Sequence, residues 1–129
     1  MTRVLVCGGR DYGTRVTEEG YTVINREEVE NLNSTLDALK EEFSELIIIQ
    51  GEAKGADSLA RDWAHRNSIM TLSFPANWKA FGKSAGYRRN AQMLEEGKPE
   101  LVLAFPGGRG TEMMCEIAEQ AGVNIRRVM

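Results

Sequence analysis

The sequence predicts an α/β protein, a doubly wound, mostly parallel sheet with helices on both faces, in one domain over residues 1–129. Three observations predict it. Continuous apolar runs at Val4-Leu5-Val6, Leu46-Ile47-Ile48-Ile49 and Leu101-Val102-Leu103-Ala104-Phe105 have the pattern of strands buried on both faces. Longer segments with apolar residues at helical spacing separate these runs. Each run is also followed by a glycine-rich loop. Strands that alternate with helices form βαβ units with right-handed crossovers, and these build a doubly wound sheet.

The elements follow in order. Val4 to Val6 makes the first strand. Asp11 to Glu30 is polar apart from Tyr21-Thr22-Val23-Ile24 and reads as an inserted loop or a short hairpin, with about 13–30 as the insertion. Leu32, Leu36, Leu39 and Phe43 form one helical stripe, which Asn33 or Ser34 can cap. After the strand at Leu46, a helix beginning near Ala56 places Leu59, Trp63 and Ala64 on one face. Ile69 to Phe74 is a weaker strand, Ala85 to Glu95 a third helix, and Leu101 to Phe105 a buried strand. A fourth helix over Thr111 to Gln120 ends at Gly122, a typical C′ glycine, before a last weak strand at Val123 to Val128. No repeat or low-complexity tract interrupts this order.

An apolar share of 42% in 129 residues supports a packed core without disulfides or metals. The net charge of -3 argues against a dedicated duplex-DNA binder, although sixteen Lys and Arg can still line a local pocket. Cys7 and Cys115 lack metal-ligand spacing and read as reduced, partly buried thiols. With His65 the one histidine, neither a metal site nor a bound cofactor is expected. No apolar run has the length of a membrane span, and Met1-Thr2-Arg3-Val4 leads straight into a strand, so a cytoplasmic protein without membrane partners is expected.

The glycines carry the functional signal. Val4-Leu5-Val6 precedes Gly8-Gly9-Arg10, Ile47-Ile48-Ile49 precedes Gly51 and Gly55 with Asp57, and Leu103-Ala104-Phe105 precedes Pro106-Gly107-Gly108-Arg109-Gly110-Thr111. In an open parallel sheet all three loops emerge at the carboxyl edge, where such sheets bind ligands. Glycine lets backbone N–H groups approach an anion, and a following helix N-terminus adds its dipole. The alternative is that these are tight turns. Gly82-Lys83-Ser84 lacks the upstream glycine of a P-loop, since Trp78 stands there. Lys83, Arg88 and Arg89 can present donors to a phosphate or simply form a solvated basic face. Trp78 and Tyr87 read as core or interface residues, with base stacking as the alternative.

Cys7-Gly8-Gly9-Arg10-Asp11-Tyr12, Gly55-Ala56-Asp57 with Leu59-Ala60 and Trp63-Ala64, Gly86 to Met93, and Pro106 to Thr111 together resemble the YspA/YpsA-related branch of the SLOG superfamily. That superfamily includes the LOG phosphoribohydrolases, long called lysine-decarboxylase-like, and the DNA-processing protein DprA/Smf. The likeness covers nearly the whole chain except Gly13 to about Glu30, and Pro-Gly-Gly-x-Gly-Thr is its most specific string. It implies a Rossmann-like fold and a site for a nucleotide or a nucleotide-derived small molecule. Self-association is also implied, because LOG-like proteins commonly dimerise.

In LOG enzymes an Arg-Lys-x-x-Met string and Pro-Gly-Gly-x-Gly-Thr-x-x-Glu supply a catalytic arginine and glutamate for N-glycosidic cleavage. Here Arg89-Asn90-Ala91-Gln92-Met93 keeps the arginine and methionine, but Met114 stands at the glutamate position. Glu112 and Glu116 lie two residues away, about 200° around a helix, and cannot serve from the same face. Glu52 and Asp57 are the carboxylates left for an enzyme using Arg89, with a helix cap as the other reading of Asp57.

The expectation is therefore binding or sensing of a nucleotide or its derivative. The residues expected at the site are Gly8, Gly9, Arg10, Gly51, Gly55, Asp57, Lys83, Arg89, Pro106, Gly107, Gly108, Arg109, Gly110 and Thr111. A LOG-like phosphoribohydrolase is the alternative. Single-stranded nucleic-acid binding, as in DprA-like proteins, is a further alternative that an acidic chain supports poorly, so nucleic acid is not the expected partner.

Overall fold

A computed structural model describes residues 1–129. Its centre is a five-stranded parallel sheet of β1 (Thr2–Cys7), β4 (Leu46–Gln50), β5 (Met70–Ser73), β6 (Leu101–Ala104) and β7 (Asn124–Arg127). The strand order is β5-β4-β1-β6-β7, so the chain reverses direction across the sheet after β5, and the crevice beside β1 lies at that switch. In register, Val4 lies between Ile48 and Leu101, and Leu5 between Ile49 and Val102.

The period-two alternation of these strands divides the core. Val4, Val6, Ile48 and Leu103 face one layer with Leu32, Leu36, Ala60 and Trp63 of α1 (Arg26–Glu42) and α2 (Ala56–Arg66). Leu5, Ile49 and Val102 face the other, with Met93, Met114 and Ala118. Met93 opens a π-helical turn (Met93–Gly97) that extends α4 (Ala85–Gln92), while Met114 and Ala118 belong to α5 (Arg109–Gln120). Helices therefore cover both faces, as the apolar runs require. No helix is long and apolar enough to cross a membrane.

The polar stretch after β1 is the hairpin of its two expected readings, β2 (Thr14–Val16) paired antiparallel with β3 (Thr22–Ile24). Three elements differ from the expected boundaries. The helix expected to begin at Asn33 or Ser34 begins at Arg26. Asn25 caps it by accepting a hydrogen bond from the Glu28 N–H at 3.2 Å, and Glu28 in turn accepts from the Gly13 N–H at 2.8 Å. Asn33 lies on its surface and accepts from Arg66. The third helix loses its regular form at Gln92 and closes at Lys98 with a left-handed φ of 51°. Finally, Trp78–Phe81 forms a single helical turn, α3, capped by the Asn77 side chain on the Ala80 N–H at 3.0 Å.

Candidate functional site

The three glycine loops meet at the carboxyl edge and brace one another. The Gly9 N–H donates to the Pro106 carbonyl at 2.9 Å, and the Gly9 carbonyl accepts from the Ala56 N–H at 3.2 Å. A Cβ on Gly8 would lie 2.7 Å from that of Ala56 and 2.9 Å from that of Phe105. Gly55 has a φ of 81°, and a Cβ there would collide with the Gly9 carbonyl oxygen. Close backbone packing accounts for Gly55. It stands behind the first loop, outside the cavity that the loops enclose.

That cavity has a volume of about 340 Å³, toward the small end of ligand sites. Gly8, Gly9, Arg10, Asp57, Lys83, Arg89, Gly108, Gly110 and Thr111 line it, so nine of the expected residues come together. Pro106 and Gly107 border an adjoining shallow depression with Gly9 and Arg10. Arg109 points elsewhere and is exposed.

One wall is the start of α5. Gly108 is its N-cap, and no side chain caps the first turn, which leaves the N–H groups of that turn free at the cavity. Thr111 is only 6% exposed, yet its hydroxyl makes no hydrogen bond within the chain. A Cβ on Gly107 would collide with that hydroxyl, whereas one on Gly108 or Gly110 would meet nothing within 4 Å. An uncapped dipole end and a hydroxyl with no partner in the chain form a surface suited to an anion.

The charge around the cavity is predominantly positive. Arg10, Lys83 and Arg89 face a single carboxylate, Asp57. Arg89 Nη1 donates to the Gly51 carbonyl, and its Nε donates to Asn90 Oδ1 at 3.1 Å. Burial lowers the Arg89 pKa, the Asp57 charge opposes that shift, and Arg10 adds to it. Asp57 Oδ2 accepts from the N–H groups of Gly51 at 3.0 Å and Ala53 at 3.4 Å. Asp57 thus braces the loop before its own helix instead of capping the helix. Burial raises its pKa from 3.8 to about 6, against the pull of Arg89 and the two N–H donors.

Gly51 itself lies off the cavity. The space a side chain would fill there is occupied by the Arg89 guanidinium. Glu52 is also turned away, at a φ of 57°, and its carboxylate accepts from Gln50, Ser73 and Arg61 at 2.6 to 2.9 Å. The Ser73 and Gln50 hydrogen bonds, ahead of Arg61, lower its pKa. It is therefore removed from the candidate carboxylates, which leaves Asp57. Met114 is fully buried beside Leu5 and Cys7, so the helix position of the LOG glutamate faces the core.

The cavity also contains residues that glycine counting could not find. Asn90 is buried and donates to the Gly110 carbonyl at 3.1 Å, tying α4 to the first turn of α5. Its signal was a polar residue on the inner face of a helix. Cys7, Ala53, Gly86 and Met93 complete the lining, and they carry no polarity pattern that marks them. Trp78 and Tyr87, expected in the core or an interface, stand about half exposed on the rim.

The model of the family described as YspA, cpYpsA-related SLOG matches residues 2–81, a stretch with the first two glycine loops and Trp78. The Gene 61 protein of Mycobacterium phage D29 is 31% identical over 136 residues, covering 97% of this chain and 94% of that protein. With the parallel sheet and the interlocked loops at its carboxyl edge, these matches show that the chain belongs to the YspA, cpYpsA-related SLOG family.

Proposed function

We propose that this protein binds a nucleotide or nucleotide derivative whose phosphate sits at the N-terminus of α5. Family membership points to nucleotide-related binding or processing. The observation that carries the finer reading is the first turn of α5, where free N–H groups and the unpaired Thr111 hydroxyl border a cavity with three cations. Such a turn attracts negative charge through its dipole and its directed donors together. Lys83 and Arg89 clamp the anion from the opposite side, and Arg10 closes it from the first loop. A volume near 340 Å³ suits one nucleotide unit.

A thermal-shift panel of nucleoside 5′-monophosphates and diphosphates, each run beside its parent nucleoside, tests this. At least one nucleotide should stabilise the protein by about 2.7 kcal/mol at a hundred-fold excess over Kd. The parent nucleoside should do far less. Equal effects of nucleoside and nucleotide, or no effect from any of them, count against a phosphate site.

One observation favours a second reading, N-glycosidic hydrolysis. Asp57 is the sole carboxylate on the cavity and lies beside Arg89, and a carboxylate can stabilise the oxocarbenium charge that develops as a ribose–base bond breaks. Chromatography of nucleoside monophosphates incubated with the protein would detect the free base. Release at the rate of a buffer blank removes this reading and leaves the binding one.

A further inference from the structure

Four aromatic side chains stand substantially exposed, and three of them fall within ten residues: Trp78 at 48%, Phe81 at 46% and Tyr87 at 45%. Leaving several large rings in water forgoes the burial energy that normally draws them inside. Their surroundings differ. Phe81 lies off the cavity and is covered from its own helix pair, with the Arg88 guanidinium 4.4 Å from its ring centre. Trp78 and Tyr87 line the cavity. The Tyr87 hydroxyl makes no hydrogen bond within the chain.

Trp78 is held in place from two directions. Arg10 reaches from the first glycine loop to within 5.1 Å of its ring centre, and the Trp78 Cη2 atom lies 3.5 Å from where a Cβ on Gly86 would stand. Gly86 is on α4 beside Tyr87 and also lines the cavity. Glycine is a poor choice inside a helix and costs roughly 0.5–1 kcal/mol relative to alanine. What it provides here is a bare backbone that lies close against the edge of an aromatic ring.

We propose that Trp78 and Tyr87, with the bare backbone of Gly86, form the seat for the planar base of the bound nucleotide. This inference rests on the phosphate reading above and adds the second half of the ligand. Stacking on an aromatic ring tolerates any base, while the cations and the α5 turn hold the phosphate in the same cavity. The ligand class is thereby narrowed from a sugar phosphate to a nucleotide that carries an intact base. The Arg10 guanidinium on Trp78 links the two halves, since one side chain borders both the aromatic seat and the first glycine loop.

Acrylamide quenching of tryptophan fluorescence tests the proposal. Trp63 is 1% exposed, so quenching of the native protein reports Trp78. The ligands are the four common nucleoside 5′-monophosphates and ribose 5-phosphate. At least one monophosphate should shield Trp78 and bind ten-fold or more tightly than ribose 5-phosphate, the size expected of one base–aromatic stack. Trp78→Ala, measured by calorimetry, should bring the monophosphate down to the affinity of ribose 5-phosphate and leave ribose 5-phosphate itself unchanged. Gly86→Leu, which fills the seat with a good helix former, should do the same without loss of stability.

If ribose 5-phosphate binds as tightly as every monophosphate, or if Trp78 stays equally quenchable at saturation, the base seat is overturned and the phosphate site stands. If neither ligand class binds the native protein, both fall. Shielding that grows with protein concentration in the absence of nucleotide would mean that a second copy covers these rings, and would also overturn the proposal.

Discussion

Arg89 Nη1, on α4, donates a hydrogen bond to the carbonyl of Gly51, at the end of β4, and the guanidinium fills the space where a Gly51 side chain would be. One glycine thus sets the position of the cation expected to hold the ligand. Because the colliding atoms, from Cδ to the guanidinium, belong to one flexible side chain and not to backbone, Gly51→Ala should keep the fold, with a stability loss of about 1–2 kcal/mol. Its nucleotide affinity should nonetheless fall like that of Arg89→Met, by roughly ten- to a hundred-fold, the worth of one charge-assisted hydrogen bond. Calorimetric titration beside urea unfolding separates the two effects. Full affinity in Gly51→Ala would show that the Arg89 position does not matter.

Asp57 should give stability an unusual pH dependence. Its pKa is about 6 in the folded protein against an ordinary 3.8, so between these values the unfolded chain has lost a proton that the folded one retains. Stability therefore falls as pH rises from about 4 to about 6 and levels off above that, a contribution on the order of 3 kcal/mol. Asp57→Asn should abolish this slope while the rest of the pH profile persists. Urea unfolding of both proteins at half-unit pH steps measures it, and parallel profiles would mean that Asp57 is not held out of water as described.

Gly55 should tolerate no side chain. Its φ of 81° disfavours L-residues, and a Cβ would run into the Gly9 and Arg10 backbone, which cannot swing away. Gly55→Ala should cost several kcal/mol and lower Tm by about 10 °C or more. Asn25→Ala offers a milder comparison, since losing the cap of α1 should cost about 1 kcal/mol. If the two variants melt together, the loops are not packed as tightly as described.

These variants also mark how far the residues could be read in advance. The strands were legible because Val4 to Val6, Ile47 to Ile49 and Leu101 to Ala104 are buried on both sides, which leaves an unbroken apolar run in the sequence. The start of α1 was not, because its first turns are polar and partly exposed and its cap, Asn25, precedes the apolar stripe by seven residues. At the site, the three-loop edge followed from strand–glycine spacing, but spacing could not tell a glycine that faces the cavity from one that only packs. Gly8, Gly9, Gly108 and Gly110 face it, whereas Gly51 makes room for Arg89 and Gly55 for the Gly9 backbone. Glu52 and Asp57 were equal candidates in sequence. A left-handed residue at Glu52 turns its carboxylate toward Arg61 and Ser73, a conformation no local pattern announces.

Gly108→Asp tests the central claim most directly, because a Cβ there would meet nothing within 4 Å and its φ of -102° is not left-handed. The new carboxylate would cap the same N–H groups that a phosphate would use, so the helix should gain a few tenths of a kcal/mol to about 1 kcal/mol. Calorimetric titration of the native protein and of Gly108→Asp with the best-binding nucleoside monophosphate, alongside their melting curves, is the measurement. Loss of about a hundred-fold or more in affinity with an unchanged or raised Tm is the predicted result. Equal affinity in the two proteins would contradict a phosphate at the start of α5.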